Sequence, residues 1–287
     1  MNTILHKKQL SDEVFQMRVS APLIAEERKP GQFVIVQIDS NFGERIPLTI
    51  ADADPKEGSI TLIFQTVGKT TLRLAALNEG DRIENLLGPL GRPTHIEKLG
   101  TVVCIGGGIG VAPLYPIAQG FKQAGNKVIL ILGARTQKLL ILEQEMRAIA
   151  DELLICTDDG SCGRKSLVTE PLKEICQRDP KPDFAVAIGP PIMMKFCAET
   201  TRPFSVPTFV SLNTIMVDGT GMCGGCRVTV GNETKFVCVD GPEFDGHKVD
   251  FDNMMKRLRS YKILEDQARH TCKMEQAIAR KESRTPS

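Results

Sequence analysis

Hydrophobic and polar residues alternate in short runs over the first hundred positions. VFQMRVSAP from Val14, QFVIVQID from Gln32 and SITLIFQTVG from Ser59 are each bounded by glycine, proline or acidic turns. Period-two runs of this length and spacing predict a small antiparallel β-barrel over residues 1–97. One helix fits inside it: TLRLAA, Thr71 to Ala76, ends before the Asn78-Glu79-Gly80 stop.

At Thr101 the pattern changes. TVVCIGGGIG is an apolar run that ends in glycines, and strand-like runs recur at 127–133, 152–157, 183–189 and 207–211. Helical patterns at 113–124, 139–149, 165–177 and 191–200 separate them. Alternating strands and helices predict a parallel α/β sheet with helices on both faces, a Rossmann-like domain over 98–211. Residues 212–250 are glycine- and cysteine-rich and too few to enclose a large apolar core, so a metal centre is expected to supply the missing stability. The stretch 251–287 reads as a basic tail. From Met254 onward it has nine Lys or Arg against four Asp or Glu. LRSYKILEDQARHTCKMEQAIAR contains no glycine or proline, so the tail predicts a terminal helix that packs on the body or docks another subunit.

Composition narrows the classes. The 287 residues are 41% hydrophobic and 25% charged, with a net charge of +1. Those values fit a globular protein of two domains plus an appendage, and give no electrostatic case for a nucleic-acid partner. No run of eighteen apolar residues predicts a membrane span. The first residues, MNTILHKKQLSDEVFQM, lack a signal-peptide core, so a cytoplasmic protein is expected. Nine cysteines in such a chain argue against a disulfide scaffold. Cys104 and Cys156 lie in apolar runs and read as small buried hydrophobes.

Four segments carry candidate nucleotide chemistry. Gly106, Gly107, Gly108 and Gly110 follow a strand and precede a helix, where glycine permits a tight turn and close approach of a phosphate to the helix N-terminus. GGGIGVAP departs from the GxGxxG pattern, and no acidic residue ends the second strand. Arg135 follows that strand and is placed to meet a 2′-phosphate. Asp158-Asp159-Gly160 follows the third strand, at the sheet edge where ligands bind. Arg45-Ile46-Pro47-Leu48-Thr49 follows an Asn-Phe-Gly turn and offers a guanidinium, a rigid proline and a hydroxyl. Val67-Gly68-Lys69-Thr70-Thr71 places a glycine, a cation and two hydroxyls at a helix start, which suits a diphosphate. It lacks the long glycine run of a P-loop.

The cysteine segment is the strongest signal. Cys223-x2-Cys226, with Cys238 twelve residues on, supplies three thiolates, which favour zinc or iron–sulfur. Asp218 stands five residues before Cys223, where a plant-type C-x4-C-x2-C pattern has a cysteine. An iron site with Asp218 as an oxygen ligand, a zinc site completed by His247 or Asp218, and an unliganded loop all remain open at this point.

The order RIPLT, VGKTT, GPLG, GGGIGVAP, DDGSCG and DGTGMCGGC…FVCVDGPEFDGH resembles the ferredoxin–NADP reductase superfamily. Within it, the chain is similar to the dihydroorotate dehydrogenase electron-transfer-subunit branch, and more closely to small subunits of NADH-dependent reduced ferredoxin:NADP oxidoreductases. These are also known as sulfide dehydrogenase subunits. The resemblance spans essentially the whole chain. It implies FAD in the barrel, with Arg45, Pro47, Leu48 and Thr49 in its flavin and phosphate contact motif and Gly68, Lys69, Thr70 and Thr71 around its diphosphate. NAD(H) is implied at Gly106, Gly107, Gly108, Gly110, Asp158, Asp159 and Gly160. A [2Fe–2S] cluster is implied on Asp218, Cys223, Cys226 and Cys238. The electron-transfer subunits use four cysteines, and the aspartate at 218 favours the narrower group. The resemblance implies cofactor-based hydride and electron transfer with no catalytic side chain. The implied partner is a large flavoprotein subunit carrying FAD and two [4Fe–4S] clusters, which handles ferredoxin and NADP(H). Dihydroorotate dehydrogenase, sulfide dehydrogenase and hydrogenase complexes are the alternatives.

Overall fold

A computed structural model describes residues 2–40 and 43–282. The Asn-Phe pair of the turn before Arg45 and the last five residues of the basic tail lie outside them.

The N-terminal part comprises β1 (Ile4–Ser11), β2 (Val14–Ser20), α1 (Pro22–Glu27), β3 (Phe33–Gln37), β4 (Arg45–Asp54), β5 (Ser59–Gln65), α2 (Lys69–Ala76) and β6 (Asn85–Leu90). Its six strands form one antiparallel sheet in the order β1-β2-β5-β4-β3-β6. The ladder ends at β1 and β6; next to these strands an isolated bridge joins Thr3 to Arg82, where the Ile4 amide donates to the Asp81 carbonyl and the Ile83 amide to the Asn2 carbonyl, both at 2.9 Å. Alternation explains the sheet's two faces. Val34 and Val36 of β3, with Ile50, Ile60, Leu62 and Phe64, form one enclosed core, while Phe33 and Ile35 point the other way, toward the rest of the molecule.

The central part is β7 (Thr101–Gly107), α3 (Val111–Gln123), β8 (Lys127–Ala134), α4 (Glu143–Ile149), β9 (Glu152–Thr157), β10 (Arg164–Lys165), α5 (Thr169–Cys176), β11 (Phe184–Ile188), α6 (Pro191–Thr201) and β12 (Thr208–Ser211). These strands run parallel in the order β10-β9-β8-β7-β11-β12. Period two again sorts the side chains. Val102, Cys104, Val128, Leu130 and Leu132 pack under α3, whose Leu114, Ile117, Ala118 and Phe121 recur at helical spacing. Val103, Ile105, Ile129 and Ile131 pack on the opposite face with Leu172 and Ile175 of α5 and Met194 and Cys197 of α6. Helices thus cover both faces, and Cys104 and Cys156 are buried as expected.

The C-terminal part contains a β13 (Arg227–Val230) and β14 (Glu233–Phe236) hairpin, α7 (Val237–Asp240), β15 (Glu243–Asp245), α8 (Phe251–Leu258) and α9 (Lys262–Glu282). The tail is two helices, not one, broken between Leu258 and Lys262. Asp250 caps α8 by accepting from the Asn253 amide at 2.9 Å. No local pattern marks β15. It adds to the central sheet antiparallel to β12, pairing Ser211 with Glu243 and Phe209 with Asp245. The cysteine segment is therefore built into the sheet's edge, and Cys226, Val228 and Cys238 share one core with Phe33, Ile35 and Ile105. Among the described residues no helix is long and apolar enough to cross a membrane.

Asn126 ties the connection between the first two parts. Its Oδ1 accepts from the Leu99 and Gly100 amides at 2.7 and 3.0 Å, and its Nδ2 donates to the Glu97 and Phe121 carbonyls at 2.8 and 2.9 Å. Every bonding position of this buried amide is filled. Asn126→Leu strands these backbone groups and is expected to cost about 2–4 kcal/mol in urea unfolding. A loss under about 0.5 kcal/mol, the range of surface changes, would show that water replaces the amide.

Candidate functional site

Alternation along β4 decides which of its residues can face a ligand. Ile46 and Leu48 pack against the enclosed core with Ile50. Arg45, Pro47 and Thr49 project from the other face, which continues into Ala51 against the central sheet's core. The structure thus separates Leu48 from the other three: its side chain turns inward, leaving its backbone to any ligand.

At the start of α2, Gly68 is the N-cap residue. The Thr71 hydroxyl accepts from the Gly68 amide and donates to the Gly68 carbonyl, both at 3.0 Å. That hydroxyl is spent on capping the helix. The Thr70 hydroxyl donates to Glu44. A Cβ at Gly68 would meet nothing within 4 Å, so the helix start is open to approach.

The four glycines at the end of β7 and in the turn beyond it divide by role. A Cβ at Gly107 would lie 2.3 Å from Met193 Sδ, and one at Gly110 would lie 2.3 Å from the Ile188 carbonyl oxygen. A Cβ at Gly106 would lie 3.0 Å from Leu114 and Val111 side-chain carbons. These three permit close packing of strand and helix. Gly108 differs, with φ +56° and open space where a side chain would be. It begins a single 3-10 turn leading into α3.

Asp158, Asp159 and Gly160 lie at the same sheet edge, past the end of β9, which pairs with β8 beside β7. Asp159 Oδ1 accepts from the Ser161 amide at 3.0 Å and the Ser161 hydroxyl at 2.6 Å. The Ser161 side chain, and then its amide, hold the Asp159 carboxyl below its ordinary range. The Gln137 amide donates to Ser161 Oγ at 2.8 Å, so the loops after β8 and β9 are tied together. Arg135 is exposed between them.

The four candidate donors of the cysteine segment lie as two pairs. Cys226 and Cys238 are buried, unbridged, with sulfurs 3.2 Å apart. Asp218 and Cys223 form the other pair: Asp218 Oδ2 accepts from the Cys223 amide at 2.8 Å and Oδ1 from the Thr220 amide at 3.0 Å. Those amides, Thr220 first, lower the Asp218 carboxyl. Backbone amides also approach sulfur, Gly225 N to Cys223 Sγ at 3.4 Å and Cys238 N to Cys226 Sγ at 3.5 Å, as thiolate ligands favour. Among the described residues no three of His, Cys, Asp or Glu converge on one point. A single tetrahedral ion needs such convergence, whereas two irons need two pairs. His247 is engaged elsewhere, 3.0 Å from Thr201 Oγ1.

Close contacts seat this segment on the antiparallel sheet. Gly219, at φ +77°, lies so near that a Cβ would be 2.7 Å from Ile35 and 2.9 Å from Leu90 side-chain carbons. The Arg92 amide donates to the Gly241 carbonyl at 2.6 Å, and its Nε donates to the Val239 carbonyl at 3.2 Å. Arg257 of α8 donates to the Gly225 carbonyl at 3.1 Å. Sequence reasoning missed Arg92, Arg257 and Glu243; no local pattern marks them, because each acts across more than thirty residues of chain.

Two family models match the chain. Residues 104–199 match the oxidoreductase NAD-binding domain family, and residues 213–250 match the iron–sulfur cluster binding domain of dihydroorotate dehydrogenase B. The chain is 50% identical over 262 residues to a Thermotoga maritima dihydroorotate dehydrogenase B (NAD(+)) electron transfer subunit homolog, covering 91% of this chain and 92% of that one. It is 35% identical to the Bacillus caldolyticus electron transfer subunit, covering 86% of this chain and 96% of that one. A solved structure of an NADH-dependent reduced ferredoxin-NADP oxidoreductase, studied for flavin-based electron bifurcation, superposes with a TM-score of 0.89 at 48% identity, covering 93% and 96% of the two chains. A Neisseria gonorrhoeae ferredoxin NADP+ reductase shares the fold at a TM-score of 0.57 and 18% identity, covering 71% of this chain and 90% of that one. The chain belongs to the family of dihydroorotate dehydrogenase B-like electron-transfer subunits, flavin- and NAD-dependent oxidoreductase subunits of the ferredoxin–NADP reductase superfamily.

Proposed function

We propose that the chain is the NADH-oxidising flavin and iron–sulfur subunit of an electron-bifurcating NADH-dependent reduced ferredoxin:NADP+ oxidoreductase. One observation carries this reading. The donor pairs Asp218–Cys223 and Cys226–Cys238 lie on a segment pressed through Gly219 against the sheet whose β4 presents Arg45, Pro47 and Thr49. In this reading, residues 1–97 close as a barrel that binds FAD, 98–211 bind NADH, 212–250 hold a [2Fe–2S] cluster and 251–287 form the helical tail.

When bound, FAD accepts a hydride and releases electrons singly, and the cluster carries one electron at a time. The chain's own residues bind and orient. Arg45 and Lys69 are the cations for the FAD diphosphate, with the α2 N-terminus open at Gly68. Thr49 offers its hydroxyl to the flavin ring. Thr70 and Thr71 act through their backbone, since both hydroxyls are already engaged. Gly108 lets the backbone approach the nucleotide phosphates, and the Asp158–Gly160 loop faces the same edge. Asp218 contributes a hard oxygen ligand beside three thiolates.

The partner in this reading is a large flavoprotein subunit with its own FAD and two [4Fe–4S] clusters, through which ferredoxin and NADP(H) react, in the cytoplasm. A second reading, service to a dihydroorotate-oxidising partner, draws support from the names of the sequence relatives. Purification of the native complex with flavin and iron counting separates the two. Eight irons beyond the small subunit's own support the first, and a dihydroorotate-oxidising partner refutes it.

Cys226→Ser is expected to abolish the visible iron–sulfur spectrum while leaving the flavin bound. Asp218→Cys is expected to keep a cluster but change its spectrum and midpoint potential; an unchanged redox titration removes Asp218 from the ligands. His247→Ala should leave iron content unaltered, and loss of bound metal would restore a single-ion site. Gly108→Val should raise KM for NADH about tenfold or more, equivalent to about 1.4 kcal/mol, in steady-state NADH oxidation with an artificial acceptor.

A further inference from the structure

Glu243 stands where the three parts of the chain meet. It opens β15 opposite Ser211 of β12. Ser211 ends β12 one residue after Val210, which pairs with Ala187, and the next residue of β11, Ile188, pairs with Gly106 of the glycine turn. Thr94, just beyond β6, donates its hydroxyl to Glu243 Oε1 at 2.6 Å. Gly31 presses against both: a Cβ there would lie 2.3 Å from Thr94 Oγ1 and 3.2 Å from Glu243 Oε1. Pro242, the residue before Glu243, meets Phe33 at Gly91: a Cβ there would lie 2.8 Å from the Phe33 ring and 3.1 Å from Pro242 Cδ. Phe33 pairs with Thr49. Glu243 thus lies one residue from a contact with the strand pair that carries Thr49.

This carboxyl has no cation to balance it. Among the described residues no ion pair reaches it, and Arg92 is committed to Val239 and to Asp240, 3.6 Å away. Thr94 after β6, Gly31 before β3 and Ser211 of β12 carry no charge. From β7, the Cys104 thiol is pushed up, first by burial and then by the Glu243 charge. Desolvation pushes Glu243 up to about 7, against the lowering effect of the Thr94 hydrogen bond. The residue as a whole is half-buried at the seam. Nothing in the binding roles above uses it.

We propose that Glu243 is a redox-linked proton site, taking up one proton from solvent when the neighbouring flavin is reduced by NADH and returning it when the flavin is reoxidised. This rests on the FAD reading given above. Hydride transfer converts NADH and FAD into NAD+ and FADH−, which adds one negative charge beside the β3–β4 face. The Glu243 carboxylate and one H+ from water become the carboxylic acid. When the two electrons leave, the hydride's proton and the Glu243 proton both return to water. The added charge raises the carboxyl's proton affinity because the seam is poorly screened. Below pH 7 the acid form exists in both redox states, so the extra uptake appears from pH 7 upward, as far as the pKa of the reduced state.

The test is a spectroelectrochemical titration of the flavin in the full chain between pH 6 and 9. Above pH 7, the two-electron potential of the wild type should fall more steeply than that of Glu243→Gln, by a further 29.6 mV per pH unit, the two-electron equivalent of a tenfold change. Parallel slopes overturn the proposal. A second measurement stands if the glutamine variant loses flavin. Reduction of the wild type above pH 7 should produce a protonated-carboxyl band in the infrared difference spectrum, shifted in Thr94→Val; absence of the band overturns the proposal. A chain that never holds flavin overturns the functional reading as well, whereas bound flavin with parallel slopes overturns only the role of Glu243.

Discussion

Strand β15 contributes only Glu243, Phe244 and Asp245 to the central sheet, yet its pairing with β12 sets the position of the C-terminal donors. A glycine-rich stretch with three cysteines has little apolar surface of its own. Pairing at the sheet edge supplies backbone hydrogen bonds, and Phe244 enters the core beneath α6. The segment before it is then drawn against the antiparallel sheet, where Gly219 and Gly91 permit contact. A Cβ at Gly91 would lie 2.8 Å from the Phe33 ring, and one at Gly219 would lie 2.7 Å from Ile35. Both glycines have positive φ, so a side chain at either would meet conformational strain as well as collision.

Much of the fold was legible because period two and helical spacing are local. Lys127–Ala134, Glu152–Thr157 and α6 lie within a residue or two of their predicted places. α4 begins later than its apolar pattern, at Glu143, because Gln137–Leu139 form a separate 3-10 turn and Leu142 takes a left-handed backbone. The tail contains no breaking residue, and the break after Leu258 has no local signal. The N-terminal strands form one six-stranded antiparallel sheet, as their period-two runs predict, and strand spacing does not report on ladder closure.

The candidate site was legible in its residue types and less so in their arrangement. Spacing singled out Asp218, Cys223, Cys226 and Cys238, but their grouping into two pairs depends on the fold bringing residues 226 and 238 together. The four glycines at the end of β7 and in the turn beyond it read alike in sequence. Three answer to Met193, Ile188 and the start of α3, and one answers to open space. Leu48 was counted with its neighbours because a pentapeptide looks continuous, whereas β geometry sends it to the opposite face. Arg92 and Thr94 carry no motif, and their partners, Val239 and Glu243, lie nearly 150 positions away.

The core that joins Phe33 and Ile35, Ile105 and Ile131, and Cys226 and Cys238 crosses every boundary that the motifs suggest. A unit of this kind is not a cartridge. Excising residues 212–250 for transplantation would remove one wall of the nucleotide sheet's core and expose the outward face of β3. The excised piece would lose the surfaces that shape it. Redesign of electron delivery in such a chain therefore has to proceed by changing residues in place, with the whole polypeptide as the smallest interchangeable part.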